Sequence, residues 1–226
     1  MEELEDKTSI CLNRKSCSGY VDQNEFTQRY LFIKNRVNNS LTREELAFLL
    51  GRTPYFVTDY EELSTAVNLD LLDIDLLCQL MTRNKFEILN FDKKDGQYDI
   101  SHDKKMVRVT RYNYLKRIEY KFTHRWTILG ENKPLRITEP IFKCIEYDDD
   151  PTTLIKVELT RLIAGGYFNA RRSPLEIRDY VWNAYKYKSS SWSAELLKNI
   201  VYEFIRDNKL IIGNHKGHYS YQVNRS

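Results

Sequence analysis

The chain has 226 residues, 42% of them hydrophobic and 13% aromatic, with 30% charged, eight glycines and five prolines. That length holds one large domain or a few small ones, and that composition excludes fibrous and low-complexity chains. Net charge is +3, spread unevenly: from Pro151 onward 12 Lys plus Arg face 6 Asp plus Glu, leaving +6 there and −3 before it. A basic end suits a polyanion partner.

No apolar run reaches the length of a membrane span. The acidic start Met-Glu-Glu-Leu-Glu-Asp lacks the basic and apolar regions of a signal peptide. A cytoplasmic protein with no membrane partner is expected. Cys11, Cys17, Cys78 and Cys144 show no Cys-x-x-Cys spacing, so reduced thiols are expected, with neither a disulfide framework nor a zinc site.

Residues 1–22 carry no sustained periodicity and read as a flexible arm. From Phe26 the pattern turns helical: Phe26, Tyr30, Ile33 and Val37 recur three or four residues apart. Thr42-Arg-Glu-Glu45 is a capping box that starts a second helix through Leu46, Ala47, Leu49 and Leu50, ended by Gly51. Asp70, Asp73 and Asp75 alternate with leucines and read as the wet face of a further helix. Between Phe86 and Ile145 the β-branched and aromatic stretches Phe86–Phe91, Met106–Arg111 and Tyr120–Leu129, separated by turn clusters, predict a small antiparallel β unit. Asp148-Asp-Asp-Pro151 breaks the pattern and reads as a solvated linker.

The C-terminal stretch is the most informative. A helix is predicted from about Thr153 to Ala164, with Leu154, Val157, Leu159 and Leu162 available for a core. Gly165-Gly166 ends it, and Tyr167-Phe168 reads as the start of a short strand. Ser173-Pro-Leu-Glu176 is a second capping box with proline at the first helical position. A longer helix from Trp192 to Asn208 carries an apolar stripe including Leu197, Ile200, Val201 and Phe204. The strands Leu210–Ile212 and Tyr219–Val223 flank a glycine-bearing tip, Asn214 to His218. Helix, short strand, helix, helix and hairpin is the order of a winged helix, whose third helix enters the major groove while the hairpin touches the backbone. Lys198, Asn199, Tyr202 and Arg206 on that helix, His215 and Lys216 in the wing, and Arg171 and Arg172 before the second helix are the candidate nucleic-acid contacts. Glu195 and Glu203 on the same helix oppose phosphate, and winged helices also dock proteins.

Leu46-Ala-Phe-Leu-Leu-Gly51-Arg-Thr-Pro-Tyr-Phe-Val57-Thr-Asp-Tyr-Glu61 resembles the helix-turn-helix core of the Xre/Cro family of bacterial and phage repressors. Leu46, Ala47, Leu50, Gly51, Val57 and Glu61 match the family pattern over about a fifth of the chain. The resemblance implies duplex-DNA binding and transcriptional regulation, with Arg52, Tyr55 and Thr58 as phosphate contacts. The departure lies on the second helix, where Pro54, Tyr55, Phe56 and Asp59 stand in place of short polar or basic residues. Such a helix suits docking or dimerisation as well as base reading. The chain as a whole also resembles bacterial helix-turn-helix proteins whose C-terminal winged segment contains Gly-Tyr-Phe-Asn, here Gly166 to Asn169.

Chemistry beyond binding has little to stand on. His215 and His218, spaced His-x-x-His, lack the companion ligands of a zinc site, and read as solvated or phosphate-contacting. Glu119-Tyr-Lys121, with Asp99 or Asp103 upstream, loosely resembles the Asp…Glu-x-Lys arrangement of metal-dependent nucleases, because alternation puts Glu119 and Lys121 on one strand face. The same pattern is common in solvent-facing strands. No phosphate loop or nucleophile elbow is present, so no enzyme, no cofactor and no resident metal are expected.

The expected fold is therefore α+β, in four consecutive parts: an arm (1–22), an Xre-like helical domain (23–84), a central β unit (85–147) and a winged helix (151–226). The expected function is a DNA-binding regulator of bacterial or phage type, contacting duplex DNA through the winged helix and the helix-turn-helix. A protein-docking component of a larger assembly, as a homodimer or with another partner, is the alternative; a metal-dependent nuclease is a third.

Overall fold

The computed structural model describes residues 10–81, 102–126, 133–141, 150–185 and 192–225. Among them the chain is mixed α and β, with seven α-helices, a four-stranded antiparallel sheet and a two-stranded hairpin. Two compact units divide it, one from Met1–Leu41 with Thr58–Lys143, the other from Thr42–Val57 with Cys144–Ser226. These differ from the four consecutive parts expected, because residues 42–57 belong with the C-terminal unit. No helix among the described residues is long and apolar enough to cross a membrane. Among the described residues Cys11, Cys17 and Cys78 form no disulfide.

In the first unit the sheet runs β1 (Asn13–Val21), β2 (Lys105–Asn113), β3 (Arg117–Thr123), β4 (Leu135–Pro140), each antiparallel to its neighbour. Within the arm expected over residues 1–22, Asn13–Val21 is instead an edge strand, paired from Asn13 opposite Asn113 to Val21 opposite Lys105. Phe86–Phe91 lies outside the described residues. Helix α1 (Gln23–Asn38) is capped by Asp22, whose carboxylate accepts from the Glu25 amide at 2.8 Å. Its face packs on the sheet, with the Phe122 ring edge-on to Phe26 and Tyr30 at centroid distances of 6.3 and 5.2 Å. His124 sits against the Phe26 ring at 5.1 Å, and burial pushes its imidazole below the usual range, against an opposing pull from the backbone at Trp126 and Lys133.

Two arginines of α1 lie on the same apolar stripe and are almost wholly buried. Arg36 donates to Glu61 at 2.6 Å, to Glu139 at 2.7 and 3.1 Å, to the Tyr120 hydroxyl at 3.0 Å and to the Leu41 carbonyl at 2.7 Å. The Tyr120 hydroxyl in turn donates to Glu139 at 2.6 Å. Burial alone would lower the Arg36 guanidinium, but Glu61, Glu139 and Tyr120 hold it above its ordinary range. Burial likewise works to raise Glu139, and the Arg36 and Tyr120 hydrogen bonds outweigh it, holding that carboxyl below the usual range. Arg29 satisfies the carbonyls at the end of α3 (Phe56–Glu61), donating to the backbone oxygens of Tyr60 and, at 3.2 Å, Ser64, with its guanidinium 4.4 Å over the Tyr60 ring. Helix α4 (Leu71–Met81) opens with reciprocal bonds at 2.9 Å between Asp70 and Asp73. Asp73 is fully buried, so the wet face expected of these aspartates is instead partly a cap.

The second unit is built on α2 (Arg43–Leu49), α5 (Pro151–Ala164), α6 (Pro174–Ala184) and α7 (Ala194–Arg206), followed by the hairpin β5 (Leu210–His215) and β6 (His218–Val223). Both capping boxes read from the sequence are present, Thr42 with Glu45 and Ser173 with Glu176. Asp150, expected in a linker, caps α5 with Pro151 at its first turn. Ile155, Leu159 and Leu162 line the core, whereas Val157 is 56% exposed. Tyr167–Asn169 form a 3-10 turn rather than the expected strand start, and the short pairing comes at Arg172, which exchanges two 2.8 Å backbone bonds with Tyr221. That bridge makes β6 central, between residue 172 and β5.

Candidate nucleic-acid interface

Helix α7 begins where the Ser193 hydroxyl accepts from the Leu196 amide at 3.1 Å. Its apolar side buries Leu197, Ile200, Val201 and Phe204, which leaves Glu195, Asn199, Tyr202 and Arg206 exposed along one stripe. Lys198 is placed otherwise. Its ammonium donates to Glu44 of α2 at 2.8 Å, and its side chain is only 14% exposed. Alongside, the Glu45 carboxylate completes its own capping box and also accepts from the Glu195 amide at 3.3 Å, satisfying one of the free donors at the start of α7. Phe48 meets the Tyr202 ring edge-on at 6.3 Å and lies 6.4 Å from Tyr221. Burial pushes the Tyr221 phenol far above its usual range, with Tyr202 and Tyr219 adding to the effect. Helix α2 therefore lies beside α7.

At the hairpin tip, Lys216 and Gly217 join the paired residues His215 and His218 with φ of 51° and 84°. Positive φ at both central residues is the signature of a type I′ turn. The Asn214 side chain accepts from the Gly217 amide at 3.0 Å. His215 and Lys216 project into solvent, but His218 is buried, its Nδ1 2.9 Å from the Leu50 carbonyl. The expectation of two solvated histidines holds for His215 alone. Gly51, with φ of 66°, accepts from the Tyr219 amide at 2.6 Å. A Cβ on Gly51 would stand 2.8 Å from the Tyr219 carbonyl oxygen.

The remaining expected contacts divide. Arg171 is exposed and its guanidinium lies against Gly213 of β5. Arg172 is partly exposed and lies along its own unit, donating to the Tyr167 carbonyl at 3.0 Å and to Glu176 at 3.4 Å while stacking 4.4 Å over the Tyr167 ring. Arg52 stacks 4.7 Å over Phe56 and reaches the Gly217 carbonyl at 3.4 Å. Tyr55 is 74% exposed, and Thr58 falls in the first unit. Asn199, Tyr202, Arg206, His215, Lys216, Arg171 and Tyr55 are thus presented outward, while Lys198, Arg172 and Arg52 are engaged within the unit. Glu44 and Glu45, which cover one flank of α7, were read from the sequence only as part of a capping box and not as partners of that helix. Their partners lie about 150 positions further on, and no local pattern announces such a pairing.

No family, curated protein or solved structure matches this chain.

The nuclease-like pair also has a definite setting. Glu119 and Lys121 share a face of β3, but the Glu119 carboxylate accepts from Arg117 at 2.8 Å, and Asp99 lies outside the described residues. Asp103 lies in the segment before β2.

Proposed function

We propose that the second unit is a winged helix that binds duplex DNA, and that the protein is a transcriptional regulator of bacterial or phage type without enzymatic activity. The observation that carries this reading is the exposed stripe Asn199, Tyr202 and Arg206 on α7, in one unit with an outward Lys216 on a tight hairpin tip. The element order, with residue 172 beside β6 and β6 beside β5, supports the reading, since in a winged helix the last helix and the hairpin are the groove and backbone contacts. Asn and Arg side chains donate to base edges and phosphates, and the +6 charge beyond Pro151 draws a polyanion. The Xre/Cro-type reading of residues 46–61 is supported by the burial of Leu46, Ala47, Leu50, Val57 and Glu61, the positions that the resemblance makes structural.

The test is fluorescence anisotropy of the full chain with labelled duplexes across a salt series. Arg206→Gln and Lys216→Gln should each weaken binding and reduce the slope of log affinity on log salt by about 0.9. No duplex binding at about 50 mM salt would overturn the reading.

The Lys198–Glu44 pair favours a second reading, a docking surface, since it withdraws a cation from the helix meant for the groove. Under it the protein self-associates or co-purifies with a partner, as light scattering would register, and Arg206→Gln changes that association instead of DNA affinity.

A further inference from the structure

The sheet of the first unit has a second face. Val107, Val109, Tyr120, Phe122 and Ile137 point to its buried side, so alternation sends their neighbours outward. Register sets those neighbours in rows: Tyr20 beside Met106; Ser18, Arg108 and Thr123; Ser16, Thr110, Lys121 and Arg136; Arg14, Tyr112, Glu119 and Thr138. Arg14, Arg108 and Arg136 are exposed and Lys121 is half-buried. Glu119 is the one carboxylate in these rows, held by Arg117 at 2.8 Å and by Arg136 at 4.0 Å. The face is strongly cationic in a unit whose residues carry 21 Lys plus Arg against 20 Asp plus Glu, a net of only +1.

Two features indicate what neutralises it. Lys121 stands directly opposite Arg136 across the β3–β4 ladder, and like charges so placed destabilise a sheet. Their row holds no carboxylate, only the Ser16 and Thr110 hydroxyls, 3.1 Å apart. The repulsion is relieved when an anion bridges the two cations. The second feature is Tyr20, 66% exposed beside a 41% exposed Met106, one row, or about 7 Å, along from Arg108. Cations next to an open aromatic platform match a single-stranded nucleic acid, with phosphates on the one and a base stacked on the other. Exposed hydroxyls at Ser16, Ser18, Thr123 and Thr138 supply partners for the ribose 2′-hydroxyl, which distinguishes RNA from DNA.

We propose that this face binds single-stranded RNA, with Arg108, Lys121 and Arg136 on the phosphates and Tyr20 beneath a base. It does not depend on the second unit's reading. The experiment is anisotropy of the full chain with a labelled oligouridylate of about 12 nucleotides. The combined variant Arg108→Gln, Lys121→Gln and Arg136→Gln should lose about tenfold or more in affinity and lower the salt slope by about 2. Tyr20→Ala should lose about fivefold or more. Arg206→Gln and Lys216→Gln, which test duplex binding, should leave RNA affinity unchanged. Lys121→Gln alone should raise the melting temperature of the free protein, which separates the charge effect from misfolding. The proposal is overturned by absent RNA binding at about 50 mM salt, by undiminished binding in the combined variant, or by tighter binding of an oligothymidylate of the same length.

Discussion

Lys198 of α7 and Glu44 of α2 meet at 2.8 Å, the lysine mostly covered and the glutamate 64% exposed. If α7 reads DNA, that pair holds a cation in reserve. Glu44→Gln should then raise duplex affinity and steepen the salt slope by up to about 0.9, as one more phosphate contact forms. Lys198→Met should cost no more than about 1 kcal/mol of stability, because the acidic partner is solvated. Paired anisotropy and urea titrations read both effects.

Arg36 calls for the opposite expectation. Its partners Glu61 and Glu139 are respectively fully and largely buried, so Arg36→Met leaves two carboxylates without their shared cation. A loss of about 3–5 kcal/mol is expected in urea unfolding. Lys15→Met, which breaks an exposed pair with Glu62, should cost less than about 1 kcal/mol.

Acid should weaken the fold in two steps. The imidazole of His124 is lowered from 6.5 by burial, so below pH 6.5 the unfolded chain takes up a proton that the folded chain resists. Stability therefore falls as pH drops through that window. Glu139, lowered from 4.5, contributes stability that is complete above pH 4.5 and is lost as pH falls through its depressed folded value. Melting temperatures measured from pH 8 to pH 3 should show both limbs. His124→Phe should flatten the upper one and leave the lower.

Gly51→Ala should cost about 1–3 kcal/mol, from a left-handed backbone that alanine disfavours and a Cβ pressed on the Tyr219 carbonyl. Chemical denaturation reads the loss directly. Because the strain falls on β6 rather than on the sheet, RNA affinity should be unchanged below the unfolding transition.

What the sequence disclosed follows the reach of each interaction. Thr42 with Glu45 and Ser173 with Glu176 are three residues apart, so their caps are written in adjacent letters. The α7 stripe and the hairpin tip are equally local. Strand β1 was not legible, because Asn-Arg-Lys-Ser-Cys-Ser-Gly-Tyr-Val has almost no apolar alternation and gains its structure from β2, some ninety residues away. Arg29 and Arg36 did leave a trace, since both share the helical face of Phe26, Ile33 and Val37. A cation on an apolar stripe signals a buried partner, but Glu61 and Glu139 could be identified only once β4 was in place. Lys198 looked like a groove contact because a helix wheel shows outward positions without showing what another segment lays over them.

The assignment of residues 42–57 to the C-terminal unit has a bearing on synthesis and cutting. A ribosome releases α2 long before α7 exists, so its apolar side must wait, unpartnered, for more than a hundred residues of further chain. Proteolysis near residue 145 would not liberate two self-sufficient pieces either. The C-terminal fragment would leave behind the helix that carries Glu44, Glu45 and Phe48, and the N-terminal fragment would keep that helix without α7. The second unit draws on residues from both sides of such a cut, and expression trials should keep the chain whole.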